Sequence, residues 1–179
     1  MNRAVPRLDR SIVLVGMMGA GKSTIGRRLA RRLAVEFVDS DVEIEKTTGL
    51  KTSELFELYG EDAFRDGERR VVARLVQGRP RVIATGGGAF NHPDTRSLLN
   101  RQAITVWLDA PIEVLAERTR RRDNRPLLRS GNRVEILQQL MTQRAAFYAQ
   151  AHVRVPTSDS PHQEVVEAVV TAVSAHLNG

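Results

Sequence analysis

The stretch GMMGAGKS, Gly16 to Ser23, constrains the architecture of this chain more than any other feature in it. It matches G-x-x-x-x-G-K-[ST], follows the short apolar run Ile12 to Val15, and is followed by a helical pattern that starts at Thr24. Strand, glycine loop and helix in that order form the context in which such a loop wraps phosphates. Glycines let the backbone turn its N–H groups inward with no Cβ in the way, and the helix N-terminus adds partial positive charge. Lys22 is then placed to reach the β and γ phosphates, and the Ser23 hydroxyl to ligate a Mg²⁺ ion that bridges two phosphate oxygens. The residues expected on the nucleotide run from Gly19 through Ala20, Gly21, Lys22 and Ser23 to Thr24. Only three lysines occur in the chain, so one in the required slot is not the product of a lysine-rich surface. An ATP–Mg²⁺ site is expected.

Beyond the loop, short apolar runs alternate with amphipathic stretches. Ile12 to Val15, Phe37 to Val38, Val82 to Ala84, Ile104 to Leu108 and Val153 to Val155 read as five buried strands. Ile25, Leu29, Arg32 and Leu33 mark one intervening helix, and Val134, Leu137, Leu140, Met141 and Ala145 mark another. Such alternation predicts an α/β fold, a parallel sheet flanked by helices. The last helix is expected to start at a Ser160 cap with Pro161 in its first turn and Gln163 three residues after the cap. Its stripe Val165, Val166, Val169, Val170, Val173 is read as core packing.

With 179 residues the chain fits one domain that buries roughly 70% of its unfolded surface. No linker-like stretch or repeat divides it. Hydrophobic residues make up 41% and charged residues 27%, which excludes a disordered chain. No apolar run is long enough for a membrane span, and the charged MNRAVPRLDR with no h-region behind it does not read as a signal peptide. The absence of cysteine excludes disulfides and thiolate metal sites. A cytoplasmic enzyme is expected. The 27 Lys and Arg exceed the 21 Asp and Glu by six, and 24 of the 27 are arginine, so anionic partners are favoured. With aromatics at 4% there are few stacking platforms, so nucleic acid is not the expected partner.

A phosphate loop does not name the acceptor, and three further constellations bear on it. FVDSDVEIE places Asp39 and Asp41 two apart at the end of the second strand, on the same side if the segment is extended. There one carboxylate could hold Mg²⁺ through water while the other orients an acceptor hydroxyl, or the pair could simply cap the next helix. In GEDAFRDGE, Arg65 and Glu68 stand three apart on a probable helix, a spacing that by itself favours a surface ion pair. ATGGGAF ends the third strand with Gly86, Gly87 and Gly88, which suits either a close approach by a ligand or backbone, or a plain turn.

With these in view the chain resembles the shikimate kinases. GMMGAGKST, DSD, FRDGE and TGGG stand in that family's order and spacing, and RPLL at Arg125 to Leu128 and RAAFY at Arg144 to Tyr148 continue the match. The resemblance implies a monomeric P-loop NTPase fold of the nucleoside-monophosphate-kinase type, with a mobile lid near 119–133. It also implies transfer of the ATP γ-phosphoryl group to the 3-hydroxyl of shikimate, a step toward chorismate and the aromatic amino acids. Carried over residue by residue, it assigns shikimate contacts to Asp41, Arg65, Gly87 and Arg144, with Glu68 supporting and Gly86 and Gly88 beside them. Asp41 becomes the proton acceptor, Ser23 and Asp39 serve Mg²⁺, and Lys22 and Arg125 meet the transferring phosphate. The carboxylate and hydroxyls of shikimate suit clamping by Arg65 and Arg144.

Arginines 120, 121, 122, 125, 129 and 133 crowd the lid segment, and their repulsion should relax when phosphate charge arrives. Gly67 inside FRDGE is expected to mark a bend or a helix boundary, and Pro156 removes a donor near the fifth strand. Three rivals fit part of the sequence: a gluconate kinase, a shikimate-kinase-like sensing domain, and a basic nucleic-acid binder. The first has no use for F-R-x-x-E, the second would sit behind a DNA-binding module, and the third would show a steep salt dependence.

Overall fold

The computed structural model describes residues 5–122 and 131–179. Five parallel strands form one sheet: β1 (Ile12–Val15), β2 (Glu36–Asp39), β3 (Arg81–Ala84), β4 (Ile104–Asp109) and β5 (Val153–Pro156), in the order β2-β3-β1-β4-β5. All five expected strands are present, with boundaries shifted by at most one residue at either end. β1 lies at the centre, pairing Ile12 with Val82 on one side and with Ile104 on the other, and its four residues are fully buried. Pro156 is tolerated because β5 is an edge strand, paired only to β4.

Helices α1 (Lys22–Leu33), α2 (Ser40–Thr48), α3 (Thr52–Leu75), α4 (Pro93–Gln102), α5 (Ile112–Arg120), α6 (Arg133–Tyr148) and α7 (His162–Asn178) connect and flank the strands. Ile25, Leu29 and Leu33 of α1 enter the core, and half-buried Arg32 pairs with Glu167 of α7 at 2.8 Å. The valine stripe of α7 is buried as expected. Its start is not. The residue flanking the helix is Pro161, Ser160 Oγ is bonded to Ser158 Oγ at 2.7 Å, and Gln163 reaches forward to Glu167. Ser160 therefore does not cap: the helix begins one residue later than expected, at His162, with Pro161 in the flanking position.

Helix α6 departs from the expected stripe in an informative way. Val134 is exposed, and the buried positions are Leu137, Arg144 and Tyr148. A cation on the inward face of a helix belongs to a site, not to the core. A second, smaller apolar cluster of Ile44, Leu55 and Phe64 lies under α2 and α3, apart from the main core.

The bend in α3 falls at Gly60, whose φ of 80° and ψ of 174° interrupt the helix, and not at Gly67. Gly67 is helical and exposed, and no atom lies within 4 Å of where its Cβ would stand. Gly67→Ala should therefore stabilise the fold by about 0.4–1 kcal/mol by restricting the unfolded chain. For a chain of this size that raises Tm by about 1–4 °C, measurable by thermal denaturation, with substrate KM values unchanged.

Candidate active site

Parallel strands bring their C-terminal ends to one edge of the sheet, and ligands bind there in folds of this kind. Beyond β1 comes the phosphate loop, beyond β2 the Asp39–Asp41 pair, and beyond β3 the triple glycine. Because β3 lies between β1 and β2, Gly86 to Gly88 stand between the loop and the aspartates. Sequence spacing cannot supply that placement; strand order does.

The phosphate loop has the backbone its motif requires. Gly19 and Gly21 take φ values of 82° and 93°, and α1 starts directly behind them at Lys22. Lys22 is buried, and its ammonium donates to the Gly16 and Met17 carbonyls at 2.8 Å each, folded back onto its own loop. Arg118 of α5 ties the loop from outside, with Nη1 donating to Gly19 O at 3.2 Å and Nη2 to Ser158 O at 3.0 Å. Sequence reading missed Arg118, which stands just ahead of the arginine-rich segment and carries no spacing signal of its own. A cavity of about 600 Å³ opens over this loop, lined by Lys22, Ser23, Thr24, Asp39, Asp41 and Arg118 among others.

The two aspartates do not share an extended segment. Asp39 is the N-cap of α2, its Oδ1 accepting the Asp41 N–H at 3.0 Å, and Asp41 lies in the helix's first turn. Capping and the site are nonetheless compatible, because the other oxygen, Oδ2, accepts the Ser23 hydroxyl at 2.5 Å. One carboxylate thus starts a helix and joins the phosphate loop, and Asp41 is carried to the rim of both cavities described here.

The neighbouring cavity is lined by Asp41, Arg65, Glu68, Gly86, Gly87, Gly88 and Arg144, together with Met18, Thr52, Ser53, Phe56 and Phe64. Asp41, Gly86 and Gly87 line both cavities, so the two open side by side. Arg65 and Glu68 are no surface pair: they meet at 2.7 Å with Glu68 only 2% exposed. Burial pushes the Glu68 carboxyl above the usual carboxylate range against the pull of Arg65, and neighbouring Asp41 adds to the rise. Glu68 Oε1 takes the guanidinium, while Oε2 is buried with no hydrogen-bond partner among the described residues.

The glycines are explained by close approach, not by positive φ. A Cβ on Gly86 would lie 3.0 Å from Glu68 Oε2 and 3.1 Å from Asp41 Oδ1, and one on Gly88 would lie 2.2 Å from Arg65 Nη2. Arg65 also packs over the Phe56 and Phe64 rings, at 5.7 and 5.2 Å. Phe56 escaped the sequence reading because its role depends on the bend at Gly60 and the packing of α3. Arg144 is buried and donates to Gly87 O at 3.3 Å. Arg125 and most of the expected lid lie outside the described residues.

A sequence model of the shikimate kinase family matches residues 18–174. The chain belongs to that family. A shikimate kinase from Caulobacter vibrioides is 52% identical over 168 residues, covering 94% of this chain and 84% of that protein. One from Bradyrhizobium diazoefficiens is 49% identical over 170 residues, covering 95% and 82%. The solved shikimate kinase from Acinetobacter baumannii in complex with shikimate superposes with a TM-score of 0.88 at 38% identity, covering 93% of each chain. A gluconokinase from Sinorhizobium meliloti reaches a TM-score of 0.63 at 20% identity, which shows a shared fold. Membership in the shikimate kinase family makes the chain a kinase that uses ATP, and its likeness to the gluconokinase is one of fold alone.

Proposed function

We propose that the larger cavity holds ATP and the smaller one shikimate, and that phosphoryl transfer takes place where Asp41, Gly86 and Gly87 border both. The reaction is that of the shikimate kinase family: the γ-phosphoryl group of ATP passes to the 3-hydroxyl of shikimate, giving shikimate 3-phosphate and ADP. The observation that carries the reading is the shared wall. It joins the cavity over the phosphate loop, lined by Lys22 and Arg118, to a pocket holding two guanidiniums, those of Arg65 and Arg144.

Each residue's task follows from its chemistry. Gly19 through Thr24 offer N–H groups and hydroxyls to the phosphates, and Lys22 exchanges its two loop carbonyls for phosphate oxygens. Arg65 and Arg144 take the substrate carboxylate, with Glu68 holding the Arg65 fork at 2.7 Å and Gly86 to Gly88 giving it room. Asp41 accepts a hydrogen bond from the attacking hydroxyl and aligns it with the γ-phosphate. Because the transition state for phosphoryl transfer is loose, alignment and charge neutralisation matter more than a strong base. Arg125, outside the described residues, is the residue assigned to the transferring phosphate.

Ser23 and Asp39 fit Mg²⁺. Both are hard oxygen donors, and they sit 2.5 Å apart at the phosphate end. Mg²⁺ commonly takes one or two protein oxygens and completes its shell with phosphates and water. When bound, it would neutralise phosphate charge.

The family likeness supports reading the chain as a single kinase domain acting as a monomer. The lack of cysteine fits the cytoplasm. No described helix is long and apolar enough to cross a membrane. The test is ADP release by the purified protein with ATP and Mg²⁺, offered shikimate, gluconate or a nucleoside monophosphate. Shikimate alone should support turnover, and release with either of the others at a comparable rate refutes the assignment.

A further inference from the structure

Tyr148 ends α6 with a fully buried side chain. Its hydroxyl donates to the Gly87 carbonyl, the same oxygen that Arg144 Nη1, one turn earlier, reaches at 3.3 Å. The Trp107 ring packs 5.8 Å from the phenol ring, and Trp107 Cδ1 stands 3.5 Å from the position a Cβ on Gly16 would take. A Cβ on Gly87 would in turn lie 3.2 Å from Met18 N. Tyr148 thus stands behind the peptide that separates the two cavities, braced against the ring that backs the phosphate loop.

We propose that Tyr148 is a positioning residue, whose hydrogen bond fixes the Gly87 peptide and so sets how the glycine loop and Arg144 meet shikimate. Three consecutive glycines have the widest conformational freedom a backbone offers, and no side chain of their own restrains them. The restraint comes from α6, through two donors on one carbonyl. The peptide is trans, so a Gly87 oxygen held toward α6 turns the Gly88 N–H the opposite way, with no freedom to flip. Tyr148 matters to Arg144 as well. Without the phenol, of these two donors Arg144 alone remains for the Gly87 oxygen, and that carbonyl competes with the substrate carboxylate for the same guanidinium. Burial raises the Tyr148 phenol above its usual range, so it stays a protonated donor at any working pH.

This inference rests on the shikimate reading, and the experiment separates the two. Tyr148→Phe keeps the ring against Trp107 and removes the hydroxyl. Trp107 is the only tryptophan, so its fluorescence serves to titrate wild type and variant with shikimate and, separately, with ATP. The expected result is a shikimate Kd raised about threefold to tenfold, the range of one buried hydrogen bond, with the ATP Kd within twofold. A purely structural role would lower Tm and leave that ratio alone. A shikimate Kd that moves no more than the ATP Kd overturns the inference, and wild-type protein that binds no shikimate overturns both it and the assigned function. If Tyr148→Phe does not fold, the wild-type chain can be labelled with 3-fluorotyrosine at Tyr59 and Tyr148, its two tyrosines. The Tyr148 fluorine resonance should then shift on adding shikimate; an unmoved resonance overturns the proposal.

Discussion

Asp41→Asn should reduce kcat by about 10²–10⁴-fold, the range that loss of a positioned acid–base group produces, with the ATP dissociation constant changed by less than about threefold. The substitution keeps the side chain's shape in the first turn of α2, where Asp39 still caps the helix through the Asp41 backbone N–H. What changes is that an amide oxygen replaces a carboxylate at the wall common to both cavities. An amide neither accepts the hydroxyl proton nor holds the hydroxyl as strongly toward the γ-phosphate. In the proposed arrangement ATP is held chiefly from the other side, by the loop and Lys22. Single-turnover ADP formation together with an independent ATP titration checks both halves, and a variant turning over at the wild-type rate removes Asp41 from the mechanism.

Gly88→Ala should raise KM for shikimate about 10- to 100-fold while leaving KM for ATP nearly unchanged. The added Cβ would fall 2.2 Å from Arg65 Nη2 and 2.5 Å from its Cζ, so the guanidinium has to leave its place. The end of an arginine moves easily, and the backbone of Gly88, with φ at −102°, suits alanine, so the fold survives. The casualty is the 2.7 Å bond to Glu68, a charge-assisted contact of about 1.5–3 kcal/mol, together with the fork proposed above to take the substrate carboxylate. Glu68, only 2% exposed, then loses its cation, which pushes its carboxyl further upward. Gly67→Ala, the same substitution next to Glu68 on α3, provides the contrast: higher Tm and unaltered kinetics. An unaltered shikimate KM in Gly88→Ala would show that Arg65 does not contact substrate from this position.

Much of the site was legible because its chemistry is written in contiguous stretches. The loop from Gly16 to Ser23 specifies its own backbone, since glycines at 19 and 21 permit the φ values near 80–90° that turn N–H groups inward. Strand positions were legible for a related reason: a strand of a parallel sheet, covered on both faces, is a short apolar run. The errors share a different character. Asp39 and Asp41 read from spacing as neighbours on an extended segment, whereas the helix begins between them. The spacing puts the bend of α3 at Gly67 and the structure has it at Gly60, where glycine takes a φ of 80° that an L side chain rarely adopts, while Gly67 keeps helical backbone.

By itself the sequence determined the phosphate loop, the order of strands and helices along the chain, and the set of charged residues available for an anionic substrate. Each of these depends on residues adjacent in the chain or one helical turn apart, where covalent geometry alone fixes the spacing. The tertiary structure decided which of those residues meet. It placed β3 between β1 and β2, and with it Gly86 and Gly87 between two cavities. It also buried the Arg65–Glu68 pair that spacing had assigned to the surface, and it brought Tyr148 to the Gly87 carbonyl 61 positions away. Such contacts depend on how sheet and helices pack against one another, and no local stretch of sequence encodes that distance.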